Sequence, residues 1–415
     1  MDHPHANEAA RLALALELTG VPTASGREHH VLAYLDRWLS TRPHLCRQAD
    51  PAGNWVLTPA VDGRPLHERS LGGQPLFITG HLDHPAFVVE RVVAPGVYEL
   101  SFRGGVMEVF FDRAPVVIHA SEPGNPLATA PVAATITERT ARQSPAGQHY
   151  LAEADAGREA CVGDIVTWRL DAPEIDPHGL IRTHACDDLA AVAAALCAID
   201  ELAPALIASA MAGRPTPDVR VLLTRAEEIG FVGAIAACKH ATMPVGSRVV
   251  ALENSRAFPE SPVGGGPIVR VGDRMSVFTP WLTDACAKRA EEVFGGPSLP
   301  KASETAGTRT RPWQRKLMAG GACEASVFCH SGYDATCICL PLGNYHNMPH
   351  LAELQAGTYD RAALGPPRAA CEYVHKDDYL AMIDLLVALG ERLPEPGTQS
   401  ARFEKLYTDR AYVLA

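Results

Sequence analysis

A chain of 415 residues with 47% apolar and 20% charged side chains is too long for one simple core and too apolar for extended disorder, which suits a large catalytic domain carrying a smaller inserted one. Its formal charge of −11 argues against nucleic-acid binding, which needs clustered lysine and arginine to neutralise phosphates. The N-terminus lacks the basic start and apolar core of a secretory signal, and no uninterrupted apolar run is long enough to suggest a membrane span. The cysteines, eleven in number and without a CxxC pair, read as buried reduced thiols, so a cytoplasmic protein bound to neither membrane nor nucleic acid is expected.

Residues 6–21 and 26–40 carry apolar positions at helical spacing, with Ser25 and Gly26 at the break as a cap. DPAGNWVLTP (50–59) predicts a turn followed by a strand, and PLFITG (75–80) a short buried strand that delivers His81. From 88 to 178 the texture changes to short β-branched runs, VVIHA, AATIT and DIVTW, divided by glycine and proline clusters. That change predicts a small β-rich domain lodged between catalytic segments 1–87 and 179–415. The α/β pattern then returns with an apolar helix from near Asp187, the strand VRVLLT, the helix GFVGAIAACKH, the strand RVVALEN and the loop SPVGGGP. A helix at 279–294, the strand ATCICLPL and a last helix at 377–389 complete the series. Buried strands alternating with helices predict a mainly parallel sheet covered by helices on both faces.

Several of these strands run directly into residues suited to a divalent metal, and open α/β sheets place their sites at the carboxyl ends of strands. HLD supplies His81, with Asp83 placed to hydrogen-bond its second ring nitrogen. CDD sets Asp187 and Asp188 at a helix start, where the macrodipole favours negative charge; Asp187 is the expected bridging ligand and Asp188 a cap or support. In RAEEIGFVGA adjacent carboxylates can divide their roles, Glu228 as ligand and Glu227 as general base. Glu253 ends VVALEN, and His346 follows ATCICLPLG in NYHN. Taken singly, each has a plainer reading as a surface turn, a helix cap or a structural histidine; their order along one sheet edge makes them a site. Imidazole and carboxylate donors together suit two divalent metal ions, Zn²⁺ first, with Co²⁺ or Mn²⁺ also compatible. His84, just past HLD, and His330 and His350 are further candidates to approach the site or its substrate.

TASGRE, DPAGN, GHLD, CDD, EEIGFVGA, the GGGP loop and the closing EYVHKDDYLAMIDLLVAL together resemble the co-catalytic metalloaminopeptidases of the glutamyl aminopeptidase and endoglucanase-like family M42, within the zinc-peptidase clan. The similarity runs through nearly the whole chain. It implies a dinuclear aminopeptidase that releases N-terminal residues from short peptides. His81, Asp187 and Glu253 would hold one metal, and Asp187, Glu228 and His346 the other. Asp83 would orient His81, while Glu227 would activate the bridging water and return its proton to the leaving amine. The β-rich insert would shape a substrate chamber and help build a homo-oligomer, either a dimer or a larger shell.

The chain departs from the family pattern in several places. Glu253 stands where aspartate is common, and Leu189 where an arginine usually follows the bridging pair. GGACEA (320–325) replaces a Gly-Gly-Thr-Asp-Ala stretch, which makes Glu324, with Arg256, a candidate to face the substrate. An additional segment, residues 348–369, separates His346 from CEYVHKDD and is expected as a lid or a surface loop. The competing readings are a related amidohydrolase or deacylase acting on a non-peptide amide, and a catalytically silent oligomeric homologue.

Overall fold

The alternation of apolar strands and helices produces an α/β body in the computed structural model, which describes residues 4–69, 73–119, 131–144, 147–154, 160–296, 310–396 and 398–414. The main sheet runs in the order Leu45–Ala49, Trp55–Val61, Val219–Thr224, Leu76–His81, Arg248–Arg256, Asp334–Leu342, Ile268–Gly272, Gln314–Leu317. Its four middle strands are mutually parallel. Trp55–Val61 joins them antiparallel on one side and Ile268–Gly272 on the other, so the sheet is mixed where a mainly parallel one was expected. Connection length gives the reason at the first edge. Leu45–Ala49 and Trp55–Val61 are joined by the tight DPAGN turn, which only antiparallel neighbours permit, and Asp50 pins that turn by accepting the amides of Ala52 and Asn54.

Val219–Thr224 and Leu76–His81 are buried along their whole length, as strands covered on both faces must be. The helices Pro4–Thr19, Leu189–Met211, Pro280–Phe294 and Lys376–Glu391 pack on one face. Val232–Lys239 and Glu324–His330 pack on the other. The first three turns of Leu189–Met211 are apolar all round, and residues 189–199 are all buried between sheet and neighbouring helices. By length and composition alone it would also suit a membrane span, although its longest uninterrupted apolar run had not suggested one. A further helix, Thr398–Arg410, follows the one expected to be last; its sequence is too polar to announce a packed face, and residues 400–410 are exposed.

Register decides where chemistry collects. Thr224 pairs with His81, and Ala251 pairs with Thr79, so His81, at the end of its strand, and Glu253, still within its own, come to one level of the sheet. Just beyond, the strands Ala86–Ala94, Val97–Arg103, Pro115–His119, Val132–Ser144, Gly147–Ala154 and Ile165–Trp168 close into an antiparallel barrel. Aromatic side chains fill it: Phe111 and Tyr150 stack at 4.4 Å, and Phe87 meets Phe102 edge-on at 4.8 Å. Since the barrel begins directly after the His81 loop, it stands over the same sheet edge.

The buried helix Leu189–Met211 is the keel of the larger core, and Leu196 is fully enclosed there. Leu196→Ala should lower unfolding free energy by about 2–5 kcal/mol through the cavity it leaves, read as a reduced urea midpoint.

Candidate metal centre

Asp187 stands between two imidazoles at the sheet edge. Its Oδ1 lies 3.4 Å from His81 Nε2, and its Oδ2 lies 3.6 Å from His346 Nε2, which is also 3.4 Å from Glu228 Oε2. Donor atoms of His81, Asp187 and Glu228 fall within 4.8 Å of one another, as do those of His81, Glu227 and Glu253. The structure thus gathers His81, Asp187, Glu227, Glu228, Glu253 and His346, from five separate stretches of chain, into one buried cluster.

Both imidazoles are aimed by their second nitrogen. His81 Nδ1 meets the Asp83 carbonyl at 3.1 Å, and His346 Nδ1 meets the Gly105 carbonyl at 2.7 Å. A carbonyl can only accept, so each Nδ1 carries the proton and each Nε2 lone pair faces the carboxylates. Gly105 belongs to the barrel segment, so the barrel fixes one of the two histidines.

Asp83 does more for the adjacent glutamates than for His81. Its carboxylate is 3.4 Å from His81 Nδ1, but it accepts the amides of Glu227 at 2.9 Å and Glu228 at 3.1 Å and the Ser25 hydroxyl at 2.5 Å. Ser25 is therefore an anchor for Asp83, and the helix expected to begin beside it starts at His29 without a side-chain cap. The Glu227–Glu228 turn needs such support because Ala226 adopts φ 53°, a left-handed conformation unfavourable to a residue with a Cβ. Glu28, which sequence reasoning passed over, holds the other side: it accepts the amides of Gly26 and Ala226 and pairs with Arg225 at 2.7 Å.

Strain also gathers around His346, where Asn344, His346 and Asn347 have φ of 52°, 54° and 62°. Glu372 holds this loop, and it too was missed. Fully buried, it accepts the His346 amide at 2.7 Å with one oxygen and the Asp187 amide at 3.0 Å with the other. One carboxylate thereby fixes the backbones that carry the shared aspartate and the second imidazole. An acid inside the strand Glu372–His375, next to apolar neighbours, is the signal that would have found it. His84 bonds the Asp187 carbonyl at 2.6 Å, and the Asn254 amide donates to the Cys186 carbonyl. Asp188 accepts the His81 amide at 3.3 Å and makes no cap bond to its own helix.

Burial, reinforced by neighbouring acids, pushes the carboxyl pKa values of Glu227, Glu228 and Glu253 well up. Asp187 Oδ1 and Glu228 Oε1 are buried with no hydrogen-bond partner. Crowded carboxylates facing two imidazoles call for further positive charge, and divalent cations with mixed nitrogen and oxygen preference fit these donors.

The sequence pattern of the M42 glutamyl aminopeptidase family matches residues 66–293, over half of the chain. The chain belongs to the M42 family. No curated protein matches it in sequence. Among solved structures, this M42 chain is similar to a TET aminopeptidase from a marine sediment Thaumarchaeota archaeon, with TM-score 0.67, 16% identity and coverage of 93% of this chain and 97% of that one. It is similar too to an aminopeptidase from Desulfurococcus kamchatkensis (TM-score 0.66, 18% identity, 92% and 95% covered). The TET1 peptidase of Pyrococcus horikoshii gives TM-score 0.65 at 16% identity, covering 92% of this chain and all of that one. At such identities the likeness is one of fold.

A cavity of about 370 Å³ opens beside Glu253 in the M42 chain, and Arg256 lines it. Glu324, the other residue expected to face the substrate, is absent from that lining. It begins a helix packed against the sheet, is 2% exposed, and burial lifts its pKa to about 7. His330 bonds the Ser326 carbonyl of its own helix, and His350 lies against Tyr359. The additional segment folds into the short helices Leu351–Ala356 and Arg361–Leu364 and is tied down, with Met348 and Leu351 packed on Phe110 of the barrel segment and Arg368 bonded to the Asp112 carbonyl at 2.6 Å.

Asp83→Ala abandons the amides of Glu227 and Glu228. Chelator-treated protein should then lose about 1–3 kcal/mol per stranded amide in chemical denaturation, and Asp83→Asn, which keeps an acceptor oxygen, should lose less.

Proposed function

We propose that this M42 chain is a dinuclear metal-dependent aminopeptidase that removes N-terminal residues from short peptides. The observation that carries the reading is Asp187, whose two oxygens address opposite imidazoles, as a ligand shared between two ions must. His81, Asp187 and Glu253 would hold one ion, and Asp187, Glu228 and His346 the other. When bound, divalent cations such as Zn²⁺, Co²⁺ or Mn²⁺ polarise a scissile carbonyl and acidify water. Glu227 lies within 4.8 Å of the His81 and Glu253 donors, placed to take a proton from water at the centre and hand it to the departing amine. Asp83 keeps Glu227 and Glu228 on their separate headings through their backbone amides.

The likeness to PhTET1-12s, solved with a dodecamer in the asymmetric unit, and to the Pyrococcus horikoshii TET1 peptidase, which can assemble into a tetrahedron or a large octahedral shell, supports a homo-oligomer for this chain. In that reading the barrel is the family's inserted domain and borders the substrate chamber. A second reading, hydrolysis of a non-peptide amide by the same centre, draws on the additional segment, which narrows the cavity beside Glu253.

Metal analysis should find about two ions per chain. Glu227→Gln should keep them and lose about 10²–10⁴-fold in kcat on aminoacyl anilides. A protein that takes up no metal, or a fully active Glu227→Gln variant, overturns the proposal. Activity confined to substrates with blocked amines transfers it to the second reading. Glu372→Gln, which weakens the hold on both Asp187 and His346, should cost about 10–100-fold in metal affinity measured by chelator competition.

A further inference from the structure

Glu324, which the cavity beside Glu253 leaves out, sits behind the metal cluster instead. The sheet shows where. Thr79 lies two residues before His81, and Thr224 is in register with His81 on the neighbouring strand. On the other side Ala251 is in register with Thr79, and Glu253 follows two residues on. Side chains two apart share a face. These positions therefore continue the row of Phe77, Leu222 and Val249, on the side covered by the helices Val232–Lys239 and Glu324–His330. Glu324 is the first residue of the second helix, which packs on the strand of Glu253.

Polar groups are left over at this place. Glu324 is 2% exposed, and neither of its carboxylate oxygens has a hydrogen-bond partner. The Thr79 hydroxyl is fully buried and has none either. Thr224, whose hydroxyl lies beside Glu324, already gives its proton to the Gly80 carbonyl at 3.3 Å, so towards Glu324 it offers only lone pairs. Nearby acids deepen the negative field: Asp83 acts on Glu324, and Glu324 in turn acts on Asp188 and Glu227. Orphaned acceptors of this kind are expensive to bury unless a proton or a cation joins them. Among the described residues no lysine or arginine pairs with Glu324.

We infer that Glu324, Thr79 and Thr224 form a site for a monovalent cation, Na⁺ or K⁺, behind the proposed metal centre. Oxygen donors suit a hard ion, and without imidazole or thiolate they hold no attraction for a soft transition metal. One carboxylate balances one positive charge, which favours a monovalent ion over a divalent one. Because the charge of Glu324 reaches Glu227, an ion held there alters the field in which the proposed base works. That consequence rests on the aminopeptidase reading; the binding itself does not.

Binding is tested first on chelator-treated protein, by its thermal midpoint in equal concentrations, about 100 mM, of KCl, NaCl or choline chloride. The alkali ion that the site takes should raise Tm by about 1–3 °C over choline, and the larger rise tells K⁺ from Na⁺. Glu324→Gln, nearly the same shape without the charge, should abolish the rise, and Thr79→Val should reduce it. Uptake of divalent metal by Glu324→Gln reports an intact fold; if that is lost, Thr79→Val decides by the same comparison. Equal midpoints in all three salts, the result expected if a proton or water alone satisfies Glu324, overturn the site. So does a rise that survives in both variants, which belongs to the crowded acids of the metal centre. In the metal-loaded protein the favoured ion should then change kcat on aminoacyl anilides by at least about twofold against choline, with no change in Glu324→Gln. An unchanged kcat overturns the action on Glu227, whereas failure to cleave any aminoacyl substrate falls on the aminopeptidase reading and leaves the Tm result standing.

Discussion

The structure is organised around a repulsion. Asp83, Asp187, Asp188, Glu227, Glu228 and Glu253 crowd into one buried region with only the two imidazoles of His81 and His346 between them. Buried like charges cost several kcal/mol each unless they are paired, hydrogen-bonded or neutralised by metal. The chain answers with backbone. Asp83 gathers the amides of Glu227 and Glu228, Glu372 those of Asp187 and His346, Glu28 those of Gly26 and Ala226, and Asp188 that of His81. Each supporting acid holds main chain, which fixes the backbone that carries the proposed ligands, and oxygens of Asp187 and Glu228 are left without hydrogen-bond partners.

The same constraint explains the strained backbone. Left-handed conformations at Ala226, Asn344, His346 and Asn347 cost about 1–3 kcal/mol each in isolation. They occur where the chain must turn sharply enough to present successive side chains in different directions. The carboxylates of Asp83, Glu28 and Glu372 over-determine those turns.

How much of this was legible in the sequence depends on the range of the signal. Strands carrying His81 and Glu253 are visible because apolar runs and the residues that follow them are local, and parallel pairing brings these positions to one level, although the strand of Glu253 runs on to Arg256. The mixed character of the sheet was not visible, because edge-strand direction depends on which strands become neighbours. Asp83 was read as a partner of His81 from its spacing, yet its carboxylate is committed to residues more than a hundred positions away. Glu28 escaped for the same reason, since an acid that serves distant backbone amides need leave no local pattern, whereas Glu372 left only the weak signal of an acid at the start of a short strand. Glu324 reads as an acid facing the substrate because of its place in the GGACEA stretch, but the helix it begins turns it inward.

The bond from His346 to the Gly105 carbonyl has a consequence for biosynthesis. The cluster draws on His81 from one sheet strand, on a barrel carbonyl, and on Glu372 from a strand almost three hundred residues further along. No nascent fragment ending before that last strand can assemble it, however well its barrel or early sheet has folded. The cluster is thus assembled by tertiary contact alone, and a chain in which that strand has not docked leaves the backbones of Asp187 and His346 unheld.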